Sequence, residues 1–166
     1  MTRWTSTRLS EAHDTSAFEC GTHSLDIWLK TEALRAERAG ISATTVWTSP
    51  DAPVVKAYYA IAPTLVSRRG LPSRSMSAGY SSIPGYLIGR LALDRSLHGQ
   101  GLGSQLLLDA LSLIVTAAGQ GGGRIIAVDA IDDRAAAFYE HHDFIPVSAS
   151  RRLVMKIATA RTALGR

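Results

Sequence analysis

The sequence predicts an α/β fold, with a mixed central β-sheet and helices on both of its faces. Strand-like and helical segments alternate along most of the chain, after two early strands that are expected to form a hairpin. The run at 124–130 is apolar without interruption from residue 125 to residue 128, which is typical of a strand covered on both sides. The chain of 166 residues contains no repeat and no low-complexity linker. Residues 1–166 are therefore expected to form one domain.

The first part of the chain is predicted to contain one helix and three strands. A short strand is expected at 4–9. A helix is expected over 24–39, because apolar residues recur there at helical spacing and Ser24 is a suitable N-cap. Strands at 44–48 and 54–66 follow, and the proline-containing turn between them predicts that they pair.

The rest of the chain is predicted to alternate strands with helices. The elements are, in order, an irregular loop at 67–84, a strand at 86–93, a glycine-rich turn, a helix at 102–118 ending at a run of glycines, a strand at 124–130, a helix capped by Asp132 and running to His142, and a strand at 153–157. Loops as long as 67–84 often face a substrate.

Composition restricts the function only loosely. The net charge is +4, and only three of the 18 basic residues are lysines. Arginine pairs well with phosphate, so a nucleic-acid partner is permitted, although an arginine-rich proteome would give the same composition. The single cysteine, Cys20, excludes an intrachain disulfide and is expected to be a buried structural residue.

The location and metal content are predicted from what the sequence lacks. The N-terminal residues have no apolar segment of the secretory type, and the apolar runs are shorter than a bilayer-spanning helix requires. The expectation is a cytoplasmic protein without a membrane partner. No histidine, cysteine or carboxylate cluster has the spacing of a zinc site, so no metal is predicted.

The most informative segment is the turn Asp94-Arg-Ser-Leu-His-Gly-Gln-Gly-Leu-Gly103. It lies between a predicted strand and a predicted helix. Such a turn presents free backbone N–H groups at the positive end of the helix dipole, and glycine lets a phosphate approach the backbone closely. The segment therefore predicts a site for a pyrophosphate group.

Two further features strengthen this interpretation. About 30 residues later the chain reads Asp132-Asp-Arg-Ala-Ala-Ala-Phe-Tyr139, and Phe144 follows after a short turn. With these features the chain resembles the GCN5-related N-acetyltransferase (GNAT) superfamily from residue 86 to residue 144. The family's pyrophosphate loop, Arg/Gln-x-x-Gly-x-Gly/Ala, corresponds to 98–103, and its motif Asn-x-x-Ala-x-x-Phe-Tyr corresponds to 132–139.

Three positions depart from the family pattern. His98 stands where the family usually has Arg or Gln, and a side-chain contact to the pyrophosphate is put in doubt there. Asp132 replaces Asn; it can still cap a helix but cannot donate as an amide does. Asp143 replaces the glycine that usually precedes the final Phe, and Asp tolerates left-handed geometry better than most residues.

A narrower resemblance covers nearly the whole chain. Phe18-Glu-Cys-Gly21, Leu25-Asp-Ile-Trp-Leu29, Leu87-Ile-Gly-Arg-Leu-Ala-Leu-Asp94 and Val128-Asp-Ala130 look like the GNAT toxins of type II toxin–antitoxin modules. Members of that group acetylate the amino group of aminoacyl-tRNA and so block translation. The resemblance implies a ribbon-helix-helix antitoxin as partner, contact with operator DNA only through the antitoxin complex, and a homodimer.

The resemblance also implies acetyl-CoA as the acetyl donor and assigns residues to it. The cofactor-binding residues that it implies are Leu91, Ala92, Leu93, His98, Gly99, Gln100, Gly101, Leu102, Gly103, Ser104, Asp132, Ala135 and Phe138. A splayed strand at 91–93 would use its backbone to bind the pantetheine arm and polarise the acetyl carbonyl. Tyr139 would act as the general acid that protonates the departing thiolate, although a purely structural core aromatic is the alternative.

No general base is identified, because the amine of an aminoacyl ester has a low pKa and needs little help. Asp94 is expected to cap or orient the turn, and Asp129 to be structural. The candidates for the RNA substrate are Arg68, Arg69, Arg74, Arg90, Arg151 and Arg152. Arg90 is the most interesting of them, because its strand is otherwise apolar and leads into the glycine turn.

Other functions stay open at this point. The chain could acetylate a protein N-terminus, a lysine or a small amine. It could also act with an antitoxin as a DNA-binding repressor, or bind acetyl-CoA without turnover.

Overall fold

The α/β prediction is confirmed by the computed structural model, which describes residues 3–148 and 150–166. The strands are β1 (Thr5–Arg8), β2 (Ala43–Thr48), β3 (Val55–Ser67), β4 (Ser82–Leu93), β5 (Ile125–Asp129), β6 (Ile145–Pro146) and β7 (Arg152–Lys156). The helices are α1 (His23–Thr31), α2 (Ala33–Arg38), α3 (Leu102–Gly121), α4 (Asp133–His141) and α5 (Ile157–Ala163). The strand order is β1-β2-β3-β4-β5-β7-β6, and the sheet is mixed because β4 and β5 run parallel.

The chain folds into two compact units, and the first contains residues 3–62 and 90–107. In it, β1 pairs antiparallel with β2 and β2 antiparallel with β3, so that Thr5 lies opposite Thr48. A cluster of buried side chains that includes Phe18, Leu29 and Tyr58 forms its core. This unit carries the glycine-rich turn and the last residues of β4.

The second unit contains residues 63–89, 108–148 and 150–166. Here β4 pairs in parallel with β5, with Gly85 opposite Ile125, and β5 pairs antiparallel with β7. The short strand β6 pairs with the other side of β7. Ile83, Ile125 and Val154 are buried in a second core cluster, and this unit carries α4. The expectation of a single domain stays a prediction.

The predicted helix over 24–39 is two helices, α1 and α2, with a break at Glu32. The Thr31 hydroxyl donates to the Ile27 carbonyl at 2.7 Å, a bond to the preceding turn that often bends helices. The expected N-cap was also wrong. Thr22, with extended backbone, occupies that position, and Ser24 lies inside the first turn of α1.

Other boundaries moved outward. β4 begins at Ser82 instead of residue 86, which shortens the predicted loop, and α3 continues to Gly121 instead of ending at 118. The helix stops where Gly122 and Gly123 adopt positive φ angles of 84° and 123°. A helical glycine costs only about 1 kcal/mol, so the glycines at 119 and 121 do not end the helix by themselves. The short elements β6 and α5 were not predicted.

Because of this extension, α3 is long enough to span a bilayer, which the sequence had not predicted. It has 20 residues and a mean hydropathy of 1.5 in its most apolar window, and 39% of that window is buried. Core helices of water-soluble proteins satisfy the same length and composition test, so this is weak evidence for a membrane segment. Ala110, Ile114 and Val115 are buried within the protein.

Candidate active site

The glycine-rich turn forms a compact loop between β4 and α3. Residues Arg95–Leu97 make one turn of 3₁₀ helix, and residues 98–101 then lead into α3 at Leu102. Gly99 and Gly101 have φ angles of 76° and 73°, which favour glycine. A Cβ at either position would meet no atom within 4 Å, so backbone conformation and not space demands glycine there.

Asp94 anchors this loop from inside. The residue is buried, with 8% of its surface exposed. One carboxylate oxygen accepts from the Glu19 N–H at 3.0 Å, and the other accepts from the Ser96 N–H and hydroxyl at 3.1 and 2.6 Å. Burial alone would raise the pKa of Asp94, but these hydrogen bonds outweigh it, and the pKa is lowered. Asp94 therefore caps the turn, as predicted, and also ties it to the segment before α1.

Two polar side chains of the loop point back onto the loop itself. His98 Nε2 lies 2.9 Å from the Leu93 carbonyl oxygen, and the Gln100 amide donates to the Ser96 carbonyl at 3.0 Å. The His98 side chain, which stands where the family usually has Arg or Gln, thus contributes to the shape of the loop. Residues 98–101, which lead into a 20-residue helix, are exposed, so their backbone N–H groups can bind an anion. The loop fits a pyrophosphate held by backbone N–H groups.

The strand residues proposed for the pantetheine arm lie at the end of β4. β4 pairs with β5 from Gly85 to Ile88, and residues 91–93 lie beyond that stretch. Ala92 is buried in the first core cluster, while Leu91 and Leu93 are half-buried. The predicted residues Leu102, Gly103 and Ser104 form the first turn of α3 and are also half-buried.

The second motif forms α4 as predicted. The Asp132 side chain accepts from the Ala135 N–H at 2.8 Å, so its role as N-cap is confirmed. Tyr139 is 8% exposed, with the rings of Phe138 and Phe144 edge-on to it at 5.3 and 5.5 Å. Burial raises the pKa of Tyr139 to about 12, so the phenol is fully protonated at neutral pH.

Asp143 closes the end of α4. Its φ angle is 69°, the left-handed conformation that glycine usually supplies. The Phe144 N–H then donates to the Tyr139 carbonyl at 3.1 Å, which returns the chain and seats Phe144 against Tyr139. The replacement of the family's glycine therefore preserves the turn, as the sequence predicted, with some backbone strain.

The six candidate arginines are in three different situations. Arg151 is paired with Asp133 at 2.7 Å, and Arg152 makes a two-point contact with Asp129 at 2.8 and 2.9 Å. The arginines of the loop after β3 are exposed and make no side-chain hydrogen bond or ion pair within the described ranges; they are Arg68, Arg69 and Arg74.

Arg90 is in a third situation that the sequence did not reveal. Its guanidinium carbon lies 4.1 Å from the centre of the Trp28 ring. The sequence placed Trp28 among the apolar residues of a predicted helix and in a segment that resembles the GNAT toxins, but no local signal connects it with a residue of β4. Elsewhere, Cys20 is buried as expected, and burial raises the pKa of its thiol to about 11. Among the described residues, no group of three or more His, Cys, Asp or Glu side chains could hold a metal ion.

Comparisons with known proteins agree with this geometry. Residues 77–144 match the family model described as acetyltransferase (GNAT) family. The chain is 39% identical over 159 residues to a protein of Mycobacterium tuberculosis named tRNA-acetylating toxin, with 95% of each chain covered. It is 31% identical over 163 residues to a probable toxin TacT of Sinorhizobium fredii, covering 92% of this chain and 90% of that one.

Solved structures show the same fold. A tyrosine-to-phenylalanine mutant of KacT superposes with a TM-score of 0.91 at 26% identity, with 96% of this chain and 98% of that chain covered. AtaT complexed with acetyl-methionyl-tRNAfMet gives a TM-score of 0.88 at 28% identity, with 97% and 99% covered. A KacTA–DNA complex gives 0.84 at 25% identity, covering 98% of this chain and 99% of that one.

Proposed function

Because the chain belongs to the GNAT acetyltransferase family, we propose that it is an acetyl-CoA-dependent N-acetyltransferase and the toxin of a type II toxin–antitoxin module. Its substrate is the amino group of an aminoacyl-tRNA, and acetylation of that group blocks translation. The observation that carries the proposal is the 39% identity over 159 residues to a tRNA-acetylating toxin. The structure of AtaT with acetyl-methionyl-tRNAfMet supports the same substrate class.

We assign the acetyl-CoA site to the elements whose geometry suits it. When bound, acetyl-CoA supplies the acetyl group as an activated thioester. The exposed loop backbone at 98–101 and the first turn of α3 bind the pyrophosphate. Backbone groups of residues 91–93 hold the pantetheine arm and polarise the acetyl carbonyl. Asp132, Ala135 and Phe138 complete the predicted set, although Asp132 already uses one oxygen as a helix cap.

Tyr139 is proposed as the general acid. The amine nitrogen forms a bond to the acetyl carbon and releases one proton to solvent, the carbon–sulfur bond breaks, and the departing thiolate needs a proton. Tyr139 is fully protonated at neutral pH, so it can donate that proton. Its ring is held between Phe138 and Phe144. Two of the similar solved toxins carry a tyrosine-to-phenylalanine change.

Partners and location follow from the toxin assignment. The finer expectations are a ribbon-helix-helix antitoxin, a homodimer and a cytoplasmic location. Solved relatives include AtaT bound to the C-terminus of the antitoxin AtaR, and the KacTA–DNA complex. The second of these favours a second role, in which the toxin joins its antitoxin on operator DNA and represses transcription. Such a role is compatible with catalysis.

The test is acetyl transfer from radiolabelled acetyl-CoA to total aminoacylated tRNA, with deacylated tRNA as the control. Label that appears only on charged tRNA is the expected result, and sequencing of the labelled pool would name the tRNA. Absence of label on tRNA, with acetyl-CoA binding intact, would contradict the substrate assignment. The acceptor would then be sought among proteins and small amines.

A further inference from the structure

Arg90 is the unusual residue of β4. Its neighbours on the strand, Gly89 and Leu91, are uncharged, and Arg90 is half-buried. Burying a cation costs free energy unless a partner compensates it. Within residues 3–148 and 150–166, however, the Arg90 guanidinium makes no hydrogen bond and no ion pair. The described contact of its charge is with the face of Trp28.

The contact with Trp28 places the guanidinium over the ring, and none of its N–H groups makes a hydrogen bond within the described residues. At 4.1 Å from the ring centre, the guanidinium carbon is at cation–π distance. Trp28 is itself held, because its ring stacks on Tyr58 at 6.0 Å with the planes 13° apart, and the Tyr58 hydroxyl donates to the Leu25 carbonyl at 2.8 Å. An arginine held by its face keeps its in-plane N–H donors for a planar or tetrahedral anion.

Nearby acidic groups do not take up this charge. Asp26, on the same helix as Trp28, is buried and accepts from the Cys20 N–H at 2.9 Å. Asp94, four residues further along the chain from Arg90, is occupied by Glu19, Ser96 and the ammonium of Lys56 at 3.9 Å. Each of these carboxylates already accepts a backbone N–H from the segment before α1, Cys20 for Asp26 and Glu19 for Asp94. Arg90 is therefore a fixed positive charge without a protein counter-ion in the described residues.

We propose that Arg90, supported by Trp28, binds a backbone phosphate in the single-stranded 3′ end of the tRNA. The inference rests on the proposed function. Arg90 directly precedes residues 91–93, to which the acetyl group is assigned, and one strand residue spans roughly 3.3 Å. The amine to be acetylated is attached to the last nucleotide, so the phosphates that reach Arg90 are those of the terminal nucleotides. Arg90 is thus a positioning residue, which places the amine without touching it.

The experiment measures binding and turnover for R90M, with R35M as the matched control. Arg35 lies in the same unit, and its exposed pair with Glu32 is of little energetic value, so R35M removes the same charge without the proposed contact. The probe for binding is a deacylated acceptor-stem minihelix with a single-stranded CCA end, compared with a blunt minihelix. Binding is measured by fluorescence anisotropy over a range of salt concentrations.

R90M is expected to weaken binding of the CCA-ended minihelix by about tenfold, which is the usual effect of losing a charge-assisted hydrogen bond. The slope of log K against log salt should fall by about 0.7, as expected for the loss of one phosphate contact to a single strand. The blunt minihelix and the Kd for acetyl-CoA should be unaffected. R90K keeps the charge but loses the planar fork, so it should keep the slope and recover part of the affinity.

Three results would overturn the proposal. The first is that R90M and R35M bind the CCA-ended minihelix with equal affinity. The second is that R90M loses the same affinity for the CCA-ended and the blunt minihelix. The third is that R90M binds the RNA more weakly without a change in the salt slope, which would indicate a structural role for Arg90. A rise in the Kd for acetyl-CoA with RNA binding intact would instead assign Arg90 to the acetyl donor. Failure of the wild type to acetylate any tRNA would contradict the proposed function alone, since the binding measurement does not need turnover.

Discussion

The glycine loop of residues 94–104 and the α4 segment of residues 132–144 carry the two family motifs, and they keep their shapes by different means. In the loop, the φ angles of Gly99 and Gly101 and side chains that bond to the backbone determine the conformation. In the α4 segment, ring packing around Tyr139 determines it. The loop therefore depends on its backbone angles and on side chains that hydrogen-bond to the backbone, whereas the α4 segment depends on the shape of its aromatic side chains.

This difference also separates the two proposed tasks. A pyrophosphate is bound by backbone groups, so the loop can accept His98 where the family has Arg or Gln, provided that the backbone stays in place. In the proposed mechanism a proton is donated by one hydroxyl, so the task of the α4 segment depends on a single side chain, Tyr139. Substitutions in the loop should therefore change the affinity for acetyl-CoA, and substitution of Tyr139 should change turnover.

The largest expected effect is that of Y139F. Removal of the hydroxyl should lower kcat by about 100-fold or more, the usual contribution of a general acid, while the Kd for acetyl-CoA and the Tm stay unchanged. A buried ring without a hydroxyl packs as well as the original. The phenol pKa of about 12 also predicts that kcat shows no loss from tyrosine ionisation in the range of about pH 7 to 9.

The control is Y80F, because Tyr80 is 69% exposed and lies in the same unit as Tyr139. Steady-state kinetics and isothermal calorimetry of both variants check the prediction. If Y139F kept its kcat but bound acetyl-CoA weakly, the α4 segment would serve binding, and the proposed division of tasks between the two segments would be wrong.

A smaller effect is expected for G101A in the loop. An alanine at φ 73° is strained by roughly 1–2 kcal/mol, so the Kd for acetyl-CoA should rise about 5- to 30-fold while kcat at saturation changes little. The control is G119A, in the last turns of α3, where a Cβ meets no atom within 4 Å and no positive φ is required. It should stabilise the protein by about 0.5–1 kcal/mol.

Calorimetric titration of both glycine variants with acetyl-CoA separates the effect of the backbone angle at position 101 from that of a glycine-to-alanine change as such. An affinity of G101A equal to that of the wild type would show that the loop can hold the anion with another backbone conformation. The affinity of the loop for acetyl-CoA would then not depend on its backbone angles.

The parts of the molecule that could be predicted from sequence are those whose cause is local. The cap at Asp132, the left-handed turn at Asp143 and the role of Asp94 each depend on neighbours within a few residues, and each prediction is confirmed. The break between α1 and α2 was missed, because the Thr31 hydroxyl had no distinguishing signal within a strong helical pattern. The extension of α3 was missed because glycine was given too much weight as a helix stop.

The arginines show where local reasoning ends. Arg151 and Arg152 were considered for RNA on charge alone, yet carboxylates distant in sequence already pair with them. The exposed arginines of the loop after β3 and Arg90 keep their charge uncompensated in the described part of the chain. Their environments depend on tertiary contacts, such as that between Arg90 and Trp28, which no periodicity or motif encodes.

The smallest expected effect is that of D143G, which tests whether backbone strain also matters in the α4 segment. Asp143 holds a φ angle of 69°, and glycine relieves that strain but loses more conformational freedom on folding. The gain in stability should therefore be below about 1 kcal/mol, a rise in Tm of at most about 4 °C. The matched variant D143A keeps the strain and loses the local hydrogen-bonding ability of Asp, so its Tm should fall.

Thermal unfolding and kcat measurements of both variants test this prediction. Because ring packing seats Tyr139, kcat should stay within about twofold of the wild type in D143G; a large change in kcat would show that the turn, and not the packing, positions the phenol.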